Sequence, residues 1–182
     1  MNHRGVRHLA TVGLLTAVPT IAWAQSGTRP QELTVVEEVF EATVIAIVDG
    51  DTLVVNDARG RLSLHLDGID APEIDQALGR EAKALLGQLA ARQVATVRVK
   101  SRAPAGGESI ARLQVKGTDL SLALLEAGLA WYCRRHTGNP DMQRAETAAK
   151  LEKKGLWRAS RPMPPWWHRG AANCRQDTHV PR

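Results

Sequence analysis

The chain has 182 residues, 43% of them hydrophobic and 24% charged, with a formal charge of +5. That length and apolar content support one domain around one core, and exclude both wholesale disorder and a pair of large domains. The basic excess is mild, so it is compatible with an anionic ligand without demanding one.

Residues 1–24 carry Arg4 and Arg7, an apolar run from Leu9 to Ile21, and the small-x-small triplet Ala22-Trp23-Ala24 before Gln25. This is the pattern of a cleaved secretory signal peptide. The apolar run is broken by Pro19 and falls short of the about 20 residues that a membrane span needs. The expected product is exported, periplasmic or secreted, with no membrane span after cleavage. The formal charge of +5, less Arg4 and Arg7, leaves +3.

Residues 25–38 lack periodicity and read as a flexible arm, residues 39–170 as the folded domain, and residues 171–182 as a tail. Short segments rich in Val, Ile, Leu and Thr at 40–48, 52–56, 61–66, 96–100 and 110–115 predict five strands. In RLSLHL, Leu62, Leu64 and Leu66 share the core face, so Arg61, Ser63 and His65 share the outer one. A helix is expected from Gly79, with Ala82, Leu85, Leu86 and Leu89 on one face. A second runs from an N-cap at Thr118 or Asp119 to Gly128, and a third from Asn139 and Pro140 to Gly155. Three strands, a helix, two strands and two helices fit an α+β, mostly β fold: a five-stranded OB-type barrel with three helices and its ligand site on the rim loops.

Two acidic stretches fall on that rim. Asp49 and Asp51 occupy the DGDT turn after the first strand, and Asp67, Asp70 and Glu73 lie where the third strand leads into the helix, in HLDGIDAPE. Oxygen-rich clusters of this kind suit a hard cation such as Ca²⁺, and Glu73 is placed to act as a general base on an ordered water. Either motif alone reads better as an ordinary acidic turn; the pair favours a site. In an exported chain, Cys133 and Cys174 most simply form one disulfide, the alternative being two free thiols.

The combination of DGDT-L, L-x-G-I-D-A-P-E, GREA, GLAW and GLW with PPW resembles the thermonuclease (staphylococcal nuclease-like) family, from about Val44 to Trp167. The resemblance implies an OB-fold nuclease that cleaves DNA and RNA phosphodiesters with Ca²⁺. Asp51 and Asp70 match its metal-binding carboxylates, the backbone carbonyl of Ala71 a further ligand, and Glu73 the general base. Two catalytic-type arginines are substituted. His65 stands at the first, just before L-x-G-I-D, and Glu108 at the second, in a segment that has also lost its tyrosine.

Phosphoryl transfer depends on positioning and on cations that stabilise charge on the phosphate oxygens, and one such arginine is worth about 10³ to 10⁵ in rate. Neutral histidine cannot offer the bidentate guanidinium fork, and glutamate repels phosphate. Arg61 and Arg112 lie four residues from the lost positions, about 13 Å along a strand, whereas Arg102 sits in a loop and is the candidate replacement. The expectation is a weakened nuclease, monomeric and acting on nucleic acid. Its alternative is a catalytically inactive module binding nucleic acid, nucleotide or protein. A third reading, with His65 and Glu108 as added ligands, would shift the metal toward Mn²⁺ or Zn²⁺. Few aromatics are available for stacking, which argues against a strong single-strand binder.

Overall fold

A computed structural model describes residues 38–104, 107–134, 138–170 and Cys174. The expected signal peptide, the arm up to residue 37 and the tail other than Cys174 lie outside the described residues.

Period-2 alternation sets the architecture. In chain order the elements are β1 (Val39–Ile47), β2 (Thr52–Asp57), β3 (Gly60–Leu66), β4 (Ile69–Asp70), α1 (Gly79–Ala90), β5 (Val94–Ser101), β6 (Ser109–Val115), β7 (Thr118–Asp119), α2 (Leu120–Glu126), β8 (Trp131–Tyr132), α3 (Pro140–Leu151), a 3₁₀ turn (Gly155–Arg158) and α4 (Pro165–His168). The strands run antiparallel in the order β3-β2-β1-β5-β6, and β3 returns to pair with β6 in parallel. That last pairing, Leu64 with Ser109 and Leu66 with Ala111, closes a five-stranded barrel, so the predicted OB-type architecture is present. Leu64, Leu66, Val97, Leu113 and Leu53 point into it and are fully buried, while His65 lies on the outer side of β3, as the alternation requires.

One irregularity aims the site. In β1 the pairing jumps from Val44↔Val55 to Ala46↔Val54, leaving Ile45 as an extra, exposed residue. A bulge of this kind bends its strand and strengthens the local twist, here immediately before the DGDT turn.

The helices match expectation at the α2 cap and depart from it at α4. Thr118 and Asp119 also extend the sheet, pairing with Val115 and Gln114, and α2 starts at Leu120 with Asp119 as its N-cap, as expected, the Asp119 side chain accepting the Leu122 N–H at 3.0 Å. α4 is an addition to the three predicted helices, and its four residues are too few to show periodicity. It belongs to a second apolar cluster in which Trp131, Cys133, Leu156, Trp166 and Cys174 are buried, with Leu78 and Trp157 against them. Trp131 meets Trp157 and Trp166 edge-on, at centroid separations of 5.6 and 6.1 Å. These three tryptophans are therefore packing residues. Among the described residues no helix is long and apolar enough to cross a membrane.

Candidate active site

The DGDT turn is built by its first aspartate. Asp49 Oδ1 accepts the N–H groups of Asp51 (3.0 Å) and Thr52 (2.7 Å), an Asx turn that explains the residue type locally. Asp49 thus supports the turn, leaving Asp51 to point inward. Gly50 permits the approach: a Cβ there would sit 2.7 Å from the Ala71 Cβ and 2.8 Å from the Ala82 Cβ. The two acidic stretches are then joined directly. Leu66 N–H donates to the Asp51 carbonyl at 2.8 Å, and Ala71 N–H to Asp51 Oδ2 at 2.5 Å.

Asp70 is fixed by a different pairing. β4 and β8 match Ile69 with Tyr132 and Asp70 with Trp131, and Cys133 N–H donates to the Gly68 carbonyl at 2.8 Å. Glu73 follows in a tight turn where its N–H donates to Gln76 Oε1 at 2.9 Å and its carbonyl accepts the Gln76 N–H at 2.9 Å. Gly79 closes on this turn so tightly that a Cβ would lie 1.8 Å from the Glu73 carbonyl oxygen.

Asp51 and Asp70 are only 5% and 3% exposed. Burial pushes the Asp51 carboxyl well above the usual range, the nearby charge of Asp49 adds to this, the Ala71 N–H opposes it, and Asp70 raises it further. Burial also raises Asp70, against the opposing pull of Arg169. Two buried, mutually repelling carboxylates beside a more exposed third are a donor set that a hard divalent cation fits.

His65 reaches this cluster: its Nδ1 lies 3.5 Å from Asp51 Oδ1 and 3.4 Å from Thr52 Oγ1. Glu108 is exposed ahead of β6, and among the described residues no hydrogen bond or ion pair joins it to Asp51, Asp70 or Glu73. Arg102, the expected replacement cation, is engaged elsewhere, on Glu38 (2.6 Å), which also takes Arg59 (2.5 Å). Arg112 pairs with Asp119 at 2.5 Å.

The cation at the site is one the sequence reading did not select. Arg169, at the C-terminal end of α4, places Nη2 2.7 Å from Asp70 Oδ2 and Nη1 3.1 Å from Asp70 Oδ1, and Nη1 also donates to Glu73 Oε1. These carboxylates raise the guanidinium further above its ordinary value. The segment carrying it docks on the same turn, with His168 Nε2 3.0 Å from Asp75 Oδ1 and the Met163 carbonyl accepting from Gln76 at 3.3 Å. The disulfide is present as expected: Cys133 and Cys174 are joined, with Cα atoms 5.3 Å apart. Its sulfurs lie within 4.8 Å of an Asp70 oxygen. A signal for Arg169 did exist, since it stands five residues before a cysteine whose partner follows Trp131 and Tyr132.

Comparison with known proteins identifies a family. A family model described as Staphylococcal nuclease homologue matches residues 63–159. A protein of Shigella flexneri named micrococcal nuclease is 32% identical over 177 residues, covering 91% of this chain and 92% of its own length. An uncharacterized endonuclease of Escherichia coli O157:H7 is 31% identical over 123 residues, covering 68% of this chain and 80% of its own. The Escherichia coli protein named ParB is 30% identical over 144 residues, or 74% and 81% respectively. With its closed barrel, its paired acidic turns and these matches, the chain belongs to the staphylococcal nuclease homologue family.

Proposed function

We propose that this protein is an exported, metal-dependent nuclease that hydrolyses phosphodiester bonds of DNA and RNA, with Asp51, Asp70 and the Ala71 carbonyl as metal ligands and Glu73 as general base. The observation that carries the reading is the junction of the two acidic turns, where Ala71 N–H binds Asp51 and the charge of buried Asp70 acts on the buried Asp51 carboxyl. A divalent cation held there, Ca²⁺ by preference for an all-oxygen set, would polarise the phosphate and offset its charge. Glu73, about a third exposed, takes a proton from the attacking water. The new P–O bond forms as the ester P–O bond breaks, and solvent protonates the leaving oxygen.

The rate is reduced relative to relatives bearing both arginines, because His65 and Glu108 supply no guanidinium. Export is supported by the signal-type N-terminus and the disulfide. One observation favours the alternative of an inactive binding module: the Arg169 guanidinium already pairs with Asp70 and Glu73.

Hydrolysis of labelled DNA and RNA by the purified chain with Ca²⁺, Mn²⁺, Zn²⁺ or chelator separates the two. Chelator-sensitive cleavage, lost together with cation-dependent thermal stabilisation in an Asp51→Ala, Asp70→Ala double variant, is the expected result. Binding of nucleic acid without cleavage under every cation would establish the inactive module instead.

A further inference from the structure

Resting on the metal-site reading above, we infer that Arg169 is the phosphate-handling cation of this protein, parked on Asp70 and Glu73 until a divalent cation claims Asp70 and frees the guanidinium for the scissile phosphate. The two positions expected to carry arginines hold His65 and Glu108, and Arg102 and Arg112 are paired with Glu38 and Asp119. Among the described residues, Arg169 is the one lysine or arginine shown in contact with the carboxylate cluster.

Its geometry suits a transferable group. Both Nη atoms grip Asp70 as a fork, and Nη1 is shared with Glu73, the same planar fork that recognises two phosphate oxygens. The side chain is 34% exposed, so it can turn toward solvent and a bound strand, whereas that of Asp70 is 5% exposed and stays in place. While Glu73 Oε1 accepts from the guanidinium, that oxygen is engaged and is not free to accept from a water. A cation on Asp70 removes the larger part of Arg169's anchorage and releases Glu73 at the same time. Positive charge is thus exchanged at the carboxylates, and the displaced guanidinium stays next to the reacting centre because α4 is fixed by buried Trp166 and by the His168–Asp75 pair.

The test uses the full chain with its disulfide intact and two variants, Arg169→Gln, which keeps length without charge, and Arg169→Lys, which keeps charge without the fork. Calorimetric Ca²⁺ titration in the absence of substrate reads the competition. Arg169→Gln is expected to bind Ca²⁺ at least about fivefold more tightly than the parent, since a charge-assisted competitor has gone. Cleavage of a DNA oligonucleotide at saturating Ca²⁺ reads the second role: kcat of Arg169→Gln falls by about 10³-fold, KM changes little, and Arg169→Lys recovers part of the loss. A residue that only braced the fold would lower the melting temperature and weaken Ca²⁺ binding, so tighter binding with lower kcat distinguishes the two. Unchanged or weaker Ca²⁺ binding in both variants, or unchanged kcat in Arg169→Gln, overturns the inference while leaving the metal site standing. Absence of Ca²⁺ binding by the parent would instead remove the reading on which it rests.

Discussion

At the residue scale, two glycines determine whether the carboxylates meet. Alanine at Gly50 would press its Cβ against those of Ala71 and Ala82, so the turn must retreat. We expect Gly50→Ala to lose about 1–3 kcal/mol of stability and to weaken Ca²⁺ binding, read by denaturant melts and calorimetry on the same sample. Gly79 is tighter still, with the Glu73 carbonyl in the way of any side chain. Because Gly79 touches the proposed base Glu73 and not the two proposed ligands, Gly79→Ala should depress kcat far more than Ca²⁺ affinity. His65 offers the opposite experiment. It already lies 3.5 Å from Asp51, so His65→Arg should raise DNA cleavage, whereas Glu108→Arg alone, with no described contact to the cluster, should raise it less; initial rates at saturating Ca²⁺ compare them.

At the element scale, what could be read in advance followed from how local each signal is. DGDT and GIDAPE are short runs whose turn chemistry is internal, and the five barrel strands show their alternation within a few residues, so both were legible. The closing β3–β6 pairing was implied by the barrel. The two-residue strands β4, β7 and β8 were not visible, because two residues show no period. α4 escaped for the same reason. Arg169 escaped because its value depends on contacts with residues 96 and 99 positions away, and no periodicity in PPWWHRG reports a partner that distant. The tryptophans of that region, with no local pattern of their own, are what seats it: Trp166 packs edge-on to Trp131, the residue paired with Asp70. Trp166→Ala should therefore lose about 3–5 kcal/mol, as buried aromatics do on truncation, and also loosen the hold on Asp70. Melting with and without Ca²⁺ reads both effects.

For the molecule as a whole, the disulfide bridges residues 41 apart and would stabilise the fold by about 4 kcal/mol in the chain-entropy model. Its placement matters as much as its strength, since it ties the stretch just after Arg169 to the strand beside Asp70. A Cys133→Ala, Cys174→Ala variant should lose stability of that order and should also show a lower kcat at temperatures where it remains folded. A nuclease is a hazard to the cell that makes it, whose own nucleic acids lie within reach during synthesis. On the export proposed above, a bond that forms only under oxidising conditions would act as a safety catch: while both thiols are reduced, the arm bearing the guanidinium lacks its covalent tether, and the catch would be released only outside the compartment the enzyme could damage.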